Sequence, residues 1–211
     1  MVEDLRRRAW QAHNRWRVGA SRLGSFGEGS GFQRPVTLIG PERIHIGRGT
    51  FFHSGAWLSV VTEHAGRTYD PRLTIGDRCV FARDVWISCV GEISLGDEVM
   101  VGDRVLITDT YHEYEDPDTS IVRQPMAPPR PVRIGDGVLL NTGCVITAGV
   151  SIGARSFVAA NAVVTKDVPA NTVVVGNPAR AIRSYDREAG EWRDIPNEAL
   201  GGSTPFRTEG R

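Results

Sequence analysis

At 211 residues the chain is long enough to bury one sizeable core. Its 25 basic and 25 acidic residues cancel, so no overall field draws it to nucleic acid or to an anionic membrane surface. No apolar run approaches the roughly 20 residues that cross a bilayer, and the three cysteines lack C-x-x-C spacing, which argues against a disulfide framework or a zinc knuckle. The expectation is a cytoplasmic protein with reduced thiols and no membrane insertion.

Residues 1–34 open with "EDLRRRAWQAHNRWRVGASR", where Leu5, Ala9, Ala12 and Trp16 recur at helical spacing. This predicts a short amphipathic helix packed on the body of the protein, with His13 at its surface. The stretch is basic but has no apolar run of the kind a secretory signal requires.

Residues 35–183 are the expected central unit, and a six-residue beat runs through it from Ile46 to Val164. Ile46, Phe52 and Leu58 form one set, followed by an interruption at Ser59–Leu73. Ile75, Phe81 and Ile87 form the next, then two extra residues, then Leu95, Val101 and Ile107. After a break at Thr108–Arg133 the beat resumes as Ile134, Leu140, Ile146, Ile152, Val158 and Val164. Four residues beyond each of these the side chain is small or β-branched, Tyr111 excepted. The residue directly after each is usually Gly, Ala, Ser or Thr, with His53 and Asn141 departing.

A period of six suits neither a helix nor a hairpin strand. It suits a short strand and a corner, three of which close a triangular coil of eighteen residues. Coils stacked at the interstrand spacing of roughly 4.8 Å make three parallel ladders. The fold class is therefore all-β, a parallel β-helix with five countable coils. Cys79, Cys89 and Cys144 lie within coils and are read as packing residues. His45 alternates with Ile44 and Ile46 and should point outward, while His53 and His64, in or near the first interruption, receive no role.

The break at Thr108–Arg133 spans 26 residues and carries five prolines, which cannot donate to a ladder, so this segment must leave the prism as a loop. Loops of that length in a small domain are usually functional or disordered. It begins "ITDTYHEYEDPD", and His112 stands at its base, at the joint between scaffold and excursion.

The repeats, the histidine-bearing loop and "VTKDVPANTVVVGNPARAIR" at Val164–Arg183 resemble the hexapeptide-repeat acyltransferases, most of all the sugar O-acetyltransferase branch of maltose, galactoside and polysaccharide-modifying enzymes. The resemblance covers about Pro35 to Arg183. It implies a left-handed β-helix, a hand the beat alone does not give. It also implies acetyl-CoA as co-substrate, no metal, a carbohydrate-like hydroxyl acceptor, and a homotrimer with each site between two subunits. His112 would be the general base, since an imidazole with an ordinary pKa near 6.5 accepts a proton from an attacking hydroxyl at neutral pH. The oxygen would then attack the thioester directly, with no seryl or cysteinyl relay.

Glu113, Glu115, Asp116 or a backbone oxygen would hold the other ring nitrogen. Asp84 stands where galactoside-type enzymes carry an acceptor-binding Asn, and Tyr111, Tyr114 and Asn141 would complete the acceptor side. For CoA, Thr142, Ala160 and Thr165 would supply wall and backbone contacts, and Lys166, Arg180 and Arg183 the charge for the phosphates. Leu139 departs from a common Trp, so part of that wall differs. Gly176, Asn177 and Pro178 form the turn that ends the β-helix. The tail, 184–211, reads as a short helix and irregular chain.

Three other readings compete. An N-acetyltransferase of an amino-sugar nucleotide uses the same fold and a similar base. A zinc enzyme on this fold needs three converging histidines, and the five here lack the close i, i+5 pair expected of it. A non-catalytic β-helix that only binds partners would not require a histidine loop next to a basic, CoA-like terminus.

Overall fold

The computed structural model describes residues 20–195. Short β-forming runs separated by corners rich in Gly and Asp give strands of two to five residues in the coils, which stack into three sheets. The first face consists of Ser25–Phe26, Ile44–Ile46, Arg72–Ile75, Glu92–Leu95, Val132–Ile134 and Ser151–Ile152. The second begins with Gly31–Phe32, Phe51–Phe52, Val80–Phe81, Met100–Val101, Leu139–Leu140, Phe157–Val158 and Thr172–Val175. The third consists of Val36–Ile39, Ala56–Val60, Trp86–Cys89, Leu106–Thr108, Val145–Ile146 and Val163–Val164. The chain visits the faces in this order, coil after coil.

Register explains the beat. Ile46, Ile75, Leu95, Ile134 and Ile152 are successive partners on the first face. Phe52, Phe81, Val101, Leu140 and Val158 are partners on the second, and Leu58, Ile87, Ile107, Ile146 and Val164 on the third. All fifteen are buried along the prism axis. Burying each such side chain contributes about 1.5–3 kcal/mol, so the three columns are the main source of stability. At the N-terminal end Phe32, Phe52 and Phe81 stack at centroid spacings of 4.6 and 4.2 Å.

The β-helix starts about ten residues before the expected boundary at residue 35, one coil ahead of the set that begins at Ile46. Phe26, Phe32 and Leu38 keep the six-residue spacing and pair with Ile46, Phe52 and Leu58. The Gly-rich "GEGSG" corner and Pro35 obscure that coil in the sequence. The expected helix near Leu5–Trp16, and His13 with it, lies outside the described residues. A second difference lies at the other end. From Ser184, where a short helix or irregular tail is expected, the chain stays extended. Arg180–Asp186 pairs antiparallel with Thr172–Val175 and with Glu191–Asp194, closing the end of the second face. Alternation of Ala181, Arg183 and Tyr185 with buried Ile182 explains the strand. Residues after 195 are outside the described part.

The corner between the first and second faces is tied by a ladder of aspartates. Asp77 accepts from the backbone N–H of Arg48 at 2.7 Å, Asp97 from that of Asp77 at 2.8 Å, and Asp136 from that of Asp97 at 2.9 Å. Asp103 does the same for Arg83 at the next corner, at 2.9 Å. Coils approach so closely there that a Cβ on Gly76 would meet the Gly96 carbonyl at 2.5 Å, which is why glycine precedes these acids.

Outside, the faces differ. The first presents His45, Thr74, Ser94, Arg133 and Ser151. The second presents Phe51, Val80, Met100, Leu139 and Phe157, and the third Trp57, Trp86, Leu106, Val145 and Val163. Trp57 and Trp86 stack at 4.9 Å on that surface. Two apolar faces and one polar face result.

Two outcomes follow from this packing. Phe81→Ala is expected to lower unfolding free energy by about 3–5 kcal/mol in urea titration, because the stack cannot collapse on the gap. Backbone donors from Arg48 and Arg83 hold the Asp77 and Asp103 carboxyls below their ordinary pKa of 3.8. The fold thus favours the ionised form. Its stabilisation is complete above that value and is lost as pH falls through the lower folded pKa. An Asp77→Asn/Asp103→Asn protein should be less stable than the parent at neutral pH, with the gap closing as pH falls below the ordinary carboxyl pKa of 3.8 and through the lower folded one; a constant gap would contradict the ladder's role.

Candidate active site

The three interruptions read from the sequence leave the prism at one corner, between the third and first faces. The earliest, after Ala56–Val60, forms the hairpin Glu63–His64/Arg67–Thr68. Its two turn residues, Ala65 and Gly66, have φ of 47° and 74°, as a tight two-residue hairpin requires. One coil later the two extra residues Val90 and Gly91 bulge at the same corner. Their N–H groups donate to the carboxylate of Asp109, at 2.9 and 2.7 Å. Asp109 is fully buried, and burial pushes its pKa up despite those two donors. The third departure is the long loop itself.

That loop is tied, not loose. Arg130 N–H donates to the Asp109 carbonyl at 2.8 Å, the Thr110 hydroxyl to the Ala127 carbonyl at 2.8 Å, and Ala127 N–H to the Tyr111 carbonyl at 2.9 Å. His112 and Met126 form an antiparallel bridge, followed by Glu113 N–H to the Pro125 carbonyl at 2.9 Å. Farther out, the buried Gln124 amide donates to the carbonyls of Asp116 and Thr119 at 2.9 and 2.8 Å. His112 therefore sits where two strands of loop are clamped together directly above the stacked coils.

The first hairpin is latched onto this base. Arg67 pairs with Glu113 at 3.0 Å, and the Tyr69 hydroxyl accepts from Met126 N–H at 3.0 Å. This places the His64 ring edge-on to that of His112, with centroids 5.1 Å apart and planes at 75°. The acids expected to orient His112 have other partners. Glu113 faces Arg67, Glu115 accepts from Tyr114 N–H at 2.9 Å, and Asp116 accepts from Asp118 N–H at 2.9 Å. His64, given no role by the sequence, is the ring that touches the expected base. Its signal was the pair of insertions departing after the third strand of their coils, which places them at one corner.

The expected site residues divide between two corners. Tyr111 and Tyr114, exposed with rings 6.2 Å apart, lie beside His112. Thr165 and Lys166 occupy the same corner two coils on, about 10 Å along the axis. Lys166 and Arg180 line a cavity of about 220 Å³ with Val168, Pro169 and Val174. Arg183 is engaged elsewhere, paired with Asp194 at 3.1 Å and lying over the Trp192 ring. Asp84, Asn141, Thr142 and Ala160 lie at the other end of the third face, at its corner with the second. Asp84 has φ of 57°, a conformation aspartate tolerates, and its N–H donates to the Ser54 carbonyl at 3.0 Å. The Asn141 side chain accepts from Thr142 N–H at 2.8 Å. One chain thus divides both its acceptor and its donor candidates between two corners, across the width of a face.

The cysteines are buried packing groups. Burial pushes the Cys144 thiol up to about 12 and Cys89 higher still, so neither supplies a thiolate. Among the described residues no three His, Cys, Asp or Glu side chains are grouped to hold a metal ion, and no helix is long and apolar enough to cross a membrane.

Comparison with known proteins agrees with this fold. The family model described as "Bacterial transferase hexapeptide (six repeats)" matches residues 131–166. A putative acetyltransferase of Schizosaccharomyces pombe is 36% identical over 47% of this chain and 46% of its own length. The galactoside O-acetyltransferase of Escherichia coli is 29% identical over 76% of this chain and 63% of its own. The chain therefore spans about half to under two thirds of those curated relatives. Among solved structures, a hexapeptide-repeat acetyltransferase from Vibrio cholerae complexed with acetyl-CoA superposes with a TM-score of 0.58 at 28% identity, over 83% of this chain and 79% of that one. The chain is a left-handed parallel β-helix that carries the bacterial transferase hexapeptide repeat and resembles, in sequence and in fold, the hexapeptide-repeat acetyltransferases.

Proposed function

We propose that the protein is an acetyl-CoA-dependent O-acetyltransferase acting on a hydroxyl of a carbohydrate or similar small acceptor, with His112 as general base. The observation that carries this reading is the placement of His112 on a tied loop base, on the same corner as Thr165, Lys166 and the cavity that Lys166 shares with Arg180. A pantetheine arm lying along that corner, its phosphates near the two cations, directs its thioester toward the imidazole. His112 takes the hydroxyl proton as the acceptor oxygen bonds to the acetyl carbonyl carbon. The C–S bond then breaks, and CoA leaves as the thiolate. Tyr111 and Tyr114, exposed at the mouth of the loop, are the proposed walls of the acceptor pocket.

Assembly belongs to the same proposal. A closed ring of three needs two different patches on each subunit, and the second and third faces supply two apolar ones. Their contact brings together, from neighbouring copies, the His112 corner and the corner bearing Asp84, Asn141, Thr142 and Ala160. Arg183, committed to Asp194, is the least suited of the three basic residues to a phosphate.

Thiol release from acetyl-CoA in the presence of maltose or a galactoside tests the base directly. His112→Ala should lower turnover about 10²- to 10⁴-fold; activity persisting in that protein refutes the assignment. Light scattering should give the mass of three chains, and a mass equal to one chain would overturn the composite site.

A further inference from the structure

His64 stands against His112 and has no part in the chemistry proposed above. Its Nε2 is buried and makes no hydrogen bond within the protein, a state that costs about 1–3 kcal/mol unless a partner is close at hand. The neighbouring ring is that partner. An N–H···N bond of about 2.9 Å between two imidazoles, each nitrogen about 1.1 Å from its ring centre, spans about 5 Å between centroids. The observed separation is 5.1 Å, the spacing such a bond requires.

We propose that His64 is the positioning residue of His112, a role resting on the reading of His112 as the base. Neutral His64, its proton on Nδ1, accepts at Nε2 from the N–H of His112. This leaves the other nitrogen of His112 unprotonated and aimed outward, the tautomer that can take a proton from a hydroxyl. When that proton arrives, the bond to His64 becomes charge-assisted and stronger, at the moment positive charge develops on His112. The device is built from two insertions that begin two coils apart. Arg67–Glu113 and Tyr69–Met126 brace the first hairpin against the long loop on either side of the ring pair. Loop acids cannot substitute, because Glu113, Glu115 and Asp116 are turned to Arg67 and to backbone donors.

The test is ¹⁵N spectroscopy of the histidine rings together with acetyl-CoA turnover on maltose or a galactoside, for the parent, His64→Ala and His64→Gln. In the parent, His112 should show one protonated and one unprotonated nitrogen. His64→Ala should average those signals and lower kcat roughly 10- to 100-fold with KM for acetyl-CoA little changed, the loss expected for one hydrogen bond to a developing charge. His64→Gln keeps an acceptor oxygen on a side chain of similar reach and should restore part of both. Should the alanine protein prove unstable, the glutamine protein decides alone: partial retention supports the proposal. Ring signals of His112 that ignore both substitutions, or an unchanged kcat, overturn the pairing. Turnover persisting in His112→Ala overturns the base assignment instead, whatever the ring signals show.

Discussion

Stacking each interior side chain on the equivalent residue of the next coil is the constraint on which the rest of the molecule depends. A prism with so narrow an axis admits only a few branched or aromatic side chains per strand, and parallel pairing fixes where the next ones stand. One residue added within a strand would turn a whole face inside out. Extra chain therefore leaves only at corners, and here all of it leaves at a single corner. That restriction stacks three insertions from successive coils over one another.

The candidate site is a consequence of that stacking. The hairpin bearing His64, the bulge at Val90–Gly91 and the loop bearing His112 have no sequence proximity, yet the coils beneath them set their bases about 5 Å apart in steps. Asp109 fastens the middle one by accepting two backbone donors while buried. Glu113 and Met126 receive the latch from the first. A flexible excursion is thereby converted into a fixed support for one imidazole. The exterior follows the same economy of pattern: alternation along the short strands turns outward side chains that are apolar on two faces and polar on the third.

Much of this was legible before any coordinates. Fifteen positions in six-residue steps define the columns, and proline content marks the long loop, because each signal reflects local geometry that repeats. A Gly-rich corner and a proline hide the first coil, with Phe26, Phe32 and Leu38. The terminal hairpin reads as a tail because it abandons the beat and pairs antiparallel. His64 is hidden for a different reason. Its significance lies in a contact with a residue 48 positions later, and only knowledge that both insertions share a corner reveals it. The division of Asp84, Asn141, Thr142 and Ala160 from His112 likewise depends on the width of a face, which spacing along the chain does not express.

Catalysis by His112 requires a thioester beside that one ring. A crystal structure of the assembled protein with bound CoA measures this most directly. The pantetheine arm is expected along the corner of Thr165 and Lys166, with its sulfur within about 5 Å of the His112 imidazole. An arm seated on another corner, leaving that ring facing open solvent, would contradict it.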